Sequence, residues 1–436
     1  MEIKERHYRQ IAQLVRRDQG DNDTHMLEGD PATMLNALQS IVESRTLGPP
    51  HPELVPTADG AIERILLTVP NYAVDDAAVA QAYRSLLSAL PPSLRLVVLT
   101  QKSCEASVRT WLANSHLSAR AEVNALDDMV NISIWAEDAY VVAKDSDNQT
   151  TYFVEPFSFP RYADSLVAEH VSDFTDLKHS RVPLYFQGGN VLIGDDFFLI
   201  GADYPAISLR YVGPHKVLKP LGVPPKDLIK SLYRQYLDHD RNVIYVGSQR
   251  KVPTEQKRET TINHDRWREV ICAGNSKGTV QPLFHIDMFI TLVGPSKRGY
   301  KLLVGDPFAA SKLLGGDLPT HAMPQVFDDI ATQLTALGFD VERNPLPLIY
   351  MDDLQHKERM WYFASANNAL VQNSPVKKVW LPTYGYGAWK ELAKTDEANA
   401  QIWRELGFDV NLLGDFHPFA ESLGAVHCIK KYLARG

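Results

Sequence analysis

The stretches "LGFDVERNPL" (337–346) and "LGFDVNLLGD" (406–415) share their first five residues and stand in the same surroundings. Each ends an amphipathic segment, "MPQVFDDIATQLTALG" (323–338) or "DEANAQIWRELG" (396–407), whose apolar residues recur at helical spacing. Each then opens a run of strand character. Reading backwards, "HIDMFITLVG" (285–294) and "YKLLVGDP" (300–307) precede the first echo, while "RMWYFASANNALVQ" (359–372) and "KKVWLPTYG" (377–385) precede the second. The unit is therefore strand, strand, helix, strand.

The same order can be followed upstream through "ERILLTVPN" (63–71), the helical "DDAAVAQAYRSLLSAL" (75–90) and "SLRLVVLT" (93–100). It continues through "TYFVEP" (151–156), "LYFQGGNVLIGDDFFLIGADY" (184–204), the amphipathic "PKDLIKSLYRQYLDH" (225–239) and "RNVIYVG" (241–247). About five copies are present, with little identity between them. Units that cannot bury their own apolar faces stack or close into a ring, but an ordinary α/β sheet with irregular strand order gives the same pattern, and periodicity alone leaves both open. The first sixty residues differ. "KERHYRQIAQLVRRD" and "PATMLNALQSIVESR" read as two helices, the second started by Asp30 and Pro31, and "LGPPHPELVPTADG" reads as a proline-rich linker. The expected organisation is an N-terminal helical extension and linker over 1–60 and a main α/β body over 61–436.

The chain of 436 residues is 44% hydrophobic and 22% charged, enough to bury a large core, and its formal charge of -8 argues against a general nucleic-acid binder. The charged start lacks the apolar core of a secretory signal, and no run approaches a membrane span, so a cytoplasmic location without membrane contact is expected. Three widely spaced cysteines, Cys104, Cys272 and Cys428, suggest neither a disulfide framework nor a paired-cysteine metal site. No nucleotide-binding fingerprint or metalloprotease motif is present, and neither metal nor cofactor is expected. A homo-oligomer remains open.

Four places put polar groups inside or beside apolar runs, where burial without a role is costly. They are Asp138 in "SIWAEDAYVV", Gln187 to Asn190 in "YFQGGNVLIG", His285 and Asp287 in "LFHIDMFITLVG", and Cys428 in "GAVHCIKKYL". Singly, each has a bland reading as a turn, a satisfied core histidine or a small buried thiol. Together they offer more. If "HIDMF" is a strand, His285 and Asp287 share one face, and a nearby imidazolium would raise the thiolate fraction of a cysteine whose ordinary pKa is about 8.5.

The motifs W-x-x-D (135–138), F-x-G-G-N (186–190), H-I-D-M (285–288), L-P-T-Y-G (381–385) and H-C-I (427–429) follow one another as they do in the agmatine deiminase and bacterial peptidylarginine deiminase group of the guanidine-modifying, or pentein, superfamily. The chain resembles that group over roughly residues 62–436. The resemblance implies a pseudo-fivefold α/β propeller of ββαβ units. It implies Cys428 as the nucleophile that attacks a guanidinium carbon, His285 as general acid and then base, and Asp138 and Asp287 as carboxylates that hold the guanidinium. Gln187 and Asn190 fall on the E-G-G-N motif, and Asn368 in "SANNAL" matches an asparagine near the family's site.

Two departures stand out. Gln187 replaces the glutamate that supports the catalytic histidine, and Glu137 replaces the arginine of W-x-R-D, with Glu137 expected to point out of the pocket that Asp138 enters. His427 is expected to face away from Cys428. The implied reaction is deimination of a guanidino group on arginine, an arginine derivative, agmatine or peptidyl-arginine. An amidinotransferase using the same covalent intermediate and a non-catalytic pentein binding protein are the alternatives.

Overall fold

The computed structural model describes residues 48–213, 225–250, 257–272, 280–316 and 322–436, together with Leu38, Ile41, Val252 and Leu318. Most of the helical reading of the first sixty residues lies outside these. No described helix is long and apolar enough to cross a membrane.

The glycines of the two sequence echoes explain why the echoes exist. Gly338 (φ 98°) and Gly407 (φ 82°) both adopt the left-handed conformation one position past the helices Pro324–Ala336 and Ala393–Glu405 and their capping leucines. Phe339 N–H donates back to Leu334 C=O (3.2 Å) and Phe408 N–H to Trp403 C=O (3.0 Å), which closes each helix by a Schellman turn with a buried phenylalanine beyond it. The chain then enters the strands Asp340–Pro345 and Asp409–Asp415. These pair in parallel with Gly299–Asp306 and Lys378–Thr383, whose other neighbours are the antiparallel Ile290–Ser296 and Leu370–Gln372.

Three further sheets obey the same rule. Val141–Asp145 runs antiparallel to Thr151–Glu155, which runs parallel to Lys178–Arg181. Val191–Ile193, Phe197–Gly201 and Asn242–Val246 repeat it, as do Lys430–Arg435, Ile62–Val69 and Arg95–Gln101, the last extended by Ala121–Leu126. The strand-strand-helix-strand unit thus occurs five times, each sheet open rather than closed on itself. Each parallel step is crossed by at least one helix, as parallel neighbours require. The helix Ala77–Ala89 is typical: Asp76 caps it by accepting from Ala78 and Val79 N–H, worth about 1 kcal/mol, and it buries Val79, Tyr83, Leu86 and Leu87.

Two additions lie outside the pattern. Within the stretch expected as a linker, Pro52–Leu54 adds an antiparallel edge strand to Val141–Asp145 and buries Leu54. A sixth sheet, which the sequence reading overlooked, joins Lys257–Ile262, Asp265–Cys272, Glu358–Phe363 and Leu348–Asp353. Its hairpin turns on Asn263 (φ 51°) and His264 (φ 69°), the two left-handed residues of a tight two-residue connection.

The described residues group into two compact units. In one, residues up to Val246 together with His427–Gly436, the sheets share apolar cores such as Leu66, Val97, Tyr140, Phe153 and Leu433. In the other, Gly247–Val426, Phe327 meets Phe289 and Phe363 at ring distances of 5.6 and 5.8 Å.

Candidate active site

Every residue singled out for chemistry lies in a buried turn that leads into the first strand of a repeat. Asp138 precedes Val141–Asp145, Asn190 precedes Val191–Ile193, Asp287 precedes Ile290–Ser296, Asn368 precedes Leu370–Gln372 and Cys428 precedes Lys430–Arg435. The strand premise for "HIDMF" is corrected. Ile286–Met288 is a single 3-10 turn with His285 extended before it (φ -120°, ψ 151°), so strand alternation does not place His285 and Asp287 on a common face. The glycine motif has the same form, since Gly188–Asn190 is a 3-10 turn led by Gln187 in extended conformation (φ -130°, ψ 144°).

In the unit that holds the C-terminal strand, three of these turns are joined through their backbones. Glu137 N–H donates to Cys428 C=O (3.1 Å), and Gly188 N–H donates to Asp138 C=O (2.8 Å). Gly188 has to be glycine. A Cβ there would collide with the carbonyl oxygens of Glu137 and Tyr140, so the absent side chain is what allows the turns to meet. Cys428, Asp138, Gln187 and Asn190 are all buried.

Glu137 has buried partners of its own. It is 4% exposed, and its carboxylate takes Lys430 Nζ at 2.7 Å and Lys431 Nζ at 2.8 Å. Lys431 Nζ also reaches the Glu137 carbonyl at 3.3 Å. Residues 136–139 form a turn and not a strand, so the alternation behind the expectation for Glu137 does not govern them. Burial alone would raise the Glu137 carboxyl, but the two ammonium groups outweigh it and hold it down at about 2. Burial in turn lowers Lys431 despite its partner. A buried ion triad therefore sits directly behind the Cys428 turn.

Asp138 is held from the other side. Arg161 Nη2 donates to Asp138 Oδ2 at 2.8 Å and Arg161 Nε to Asp164 Oδ2 at 2.6 Å, while Asp164 Oδ1 accepts from Ser133 N–H at 2.7 Å. Burial opposes the charge on Arg161, but Asp164 and Asp138 more than restore it and raise its pKa. This charge-assisted contact restrains the Asp138 carboxylate. His427 lies edge-on to Tyr432, with ring centroids 6.0 Å apart.

In the other unit the His285–Met288 turn is anchored to the 365–368 turn. Ser365 Oγ donates to Met288 C=O and Asn368 Nδ2 donates to Asp287 C=O at 3.4 Å. Tyr384 OH in turn fixes the Ser365 carbonyl at 2.8 Å. His285 stacks on Phe284, with ring centroids 4.0 Å apart, and is 3% exposed. Asn368 and Asp287 are thus brought together, although Asn368 touches the aspartate's backbone and acts here as a turn anchor.

Sequence reading missed Arg161, Lys430, Lys431 and Ser365. The adjacent lysines in the apolar run "CIKKYL" were the available signal, because two ammonium groups cannot be buried without an anion.

No protein-family model matches the chain, and no curated protein sequence does. Solved structures do. A substrate-bound cysteine-to-serine variant of the C. jejuni agmatine deiminase superposes with a TM-score of 0.57 at 12% identity, covering 87% of this chain and 96% of that one. The C. jejuni agmatine deiminase itself gives 0.56 at 13%, covering 88% and 97%. A further chain provisionally named an agmatine deiminase gives 0.57 at 15%, covering 87% and 95%. Identities this low speak for the fold: the chain has the α/β fold of the agmatine deiminases.

Proposed function

We propose that the protein is a cysteine-dependent guanidine hydrolase that converts a guanidino group to a ureido group and releases ammonia. The observation that carries this reading is the backbone joining of the Cys428, Glu137–Asp138 and Gly188–Asn190 turns, on a fold shared with agmatine deiminases. It ties the turn that carries a buried cysteine to the turn that carries Glu137 and Asp138.

The proposed chemistry runs in two halves. Cys428, as thiolate, adds to the guanidinium carbon; one C–N bond breaks, and His285 gives a proton to the departing ammonia, leaving a covalent thiouronium. Water then adds to the same carbon, His285 takes one of its protons, the C–S bond breaks to return the thiolate, and the remaining hydroxyl proton passes to solvent as the ureido product leaves. Asp287 holds the planar guanidinium by charge-assisted hydrogen bonds, and Asp138, pinned by Arg161, shares that task. Gln187 and Asn190 line the substrate from the glycine turn, and Asn368 steadies the Asp287 turn. Gln187 is a neutral amide and adds no charge in favour of an imidazolium, so the pH dependence rests on the other groups.

Agmatine, arginine, N-substituted arginines and arginyl peptides all present the required group. The test is mass-spectrometric detection of ureido products across these four, with ammonia assayed in parallel and Cys428→Ala as control. The expected result is one class converted, with ammonia, and nothing in the variant. Amidino transfer to an added amine without ammonia would instead establish a transferase. No product from any guanidine, with Cys428 inert to a haloacetamidine probe, would leave a binding protein.

A further inference from the structure

The turn between the strands Val141–Asp145 and Thr151–Glu155 reads Asp145-Ser146-Asp147-Asn148-Gln149-Thr150. His51, the residue before the edge strand Pro52–Leu54, lies against it. Its Nδ1 stands 2.6 Å from Asp147 Oδ2, and its carbonyl accepts the Ser146 N–H at 3.1 Å. Pro52 pairs in register with Asp145. One donor atom from each of His51, Asp145 and Asp147 lies within 4.8 Å of the other two.

The second observation concerns Asp145. Its side chain faces this cluster and is fully buried at 0% exposure, with Oδ1 accepting from Asp147 N–H at 3.3 Å. Among the described residues nothing donates to its Oδ2, which is sealed from water. A carboxylate oxygen in that state is costly unless a cation stands beside it. His51 and Asp147 are about half exposed or more, so both can move the short distance that closes a coordination shell.

We propose that His51, Asp145 and Asp147 bind one borderline divalent cation of the zinc or manganese class. One imidazole nitrogen with two carboxylate oxygens is a donor set for such ions, whereas calcium and magnesium prefer oxygen alone. Bonds of about 2.0–2.2 Å to each donor require donors no more than about 4.4 Å apart, close to the spread already present. Water completes the shell on the exposed side. The ion staples the residue that enters the edge strand to the turn that ends its partner strand. It replaces the direct His51–Asp147 contact and supplies the buried Asp145 oxygen with a positive partner. The site rests on nothing in the hydrolase reading.

The test uses the full chain stripped with chelator, titrated calorimetrically with zinc and with manganese, with magnesium and calcium as controls. His51→Ala and Asp147→Asn change exposed side chains, so the metal-free variants melt as the wild type does. One ion per chain in the wild type, bound at least tenfold more weakly by each variant, with a rise in Tm that both variants lose, is the expected result. No binding of zinc or manganese overturns the proposal. So does equal affinity in wild type and variants, which would place the ion elsewhere, or binding of calcium and magnesium as tight as that of zinc.

Discussion

The turns at Gln187–Asn190 and His285–Met288 have nearly the same backbone and different chemistry. Each opens on an extended residue, makes one 3-10 turn and feeds the first strand of a repeat. In the first, the two positions after the leading residue are glycines, and the turn is held by close approach to the Glu137 and Tyr140 carbonyls. In the second, those positions are Ile286 and Asp287, and side chains from the 365–368 turn provide the anchorage. The leading residue is a neutral amide in one and a titratable imidazole in the other. A repeated fold thus supplies the same scaffold several times, and single residues decide which copy can carry a proton.

His285→Gln makes the second turn resemble the first and is the strongest way to break the comparison. It should lower formation of ureido product about 10²–10⁴-fold, the usual worth of a general acid-base group, while leaving the thermal melt nearly unchanged. Unaltered turnover would remove His285 from the chemistry.

Glu137→Gln tests what stands behind the glycine turn. It leaves Lys430 and Lys431 buried with no anion and should cost about 3–5 kcal/mol in urea unfolding. Because the Glu137 carboxyl is depressed in the folded protein to about 2 from 4.5, its stabilisation is fully present above pH 4.5 and is lost as pH falls towards 2. Wild type and variant should therefore converge in stability through that window, and parallel pH profiles would refute the triad's role.

Gly188→Ala should cost about 1–3 kcal/mol through overpacking and should also change the alkylation rate of Cys428, because the displaced Glu137 turn is bonded to the cysteine's carbonyl. Ile286→Val at the matching place in the other turn should cost about 0.5–1.5 kcal/mol and leave that rate alone. The echoed helix stops test equivalence and not size. Gly338→Ala and Gly407→Ala should each cost about 1–2 kcal/mol, since both glycines sit at positive φ, and a large inequality between them would show that the two stops are not equivalent.

The features legible in the sequence are those with local causes. A left-handed glycine after an amphipathic helix is written within five residues, which is why "LGFDV" marked two of the five repeats correctly. The "HIDMF" turn was misread because a polar residue beside an apolar run looks like the alternation of a strand, and a 3-10 turn of three residues has no period to detect. The Asn263–His264 hairpin had a signal in its turn residues, but the flanking "KRETTI" carries too few apolar residues to read as a strand. Glu137 and its lysines could not be paired from sequence, because the contact spans 293 positions.

That span also sets an order of events during synthesis. The strand Lys430–Arg435 completes the sheet begun by Ile62–Val69, and the Cys428 turn hangs from it. Until the ribosome has delivered residues 428–435, the strand Ile62–Val69 has an unfilled edge beside it, the Glu137 carboxylate lacks both ammonium partners, and the thiol does not yet exist. Contacts of such long range form late because the loop they close is long. The proposed nucleophile is therefore added after, and onto, a carboxylate framework that the chain has already made.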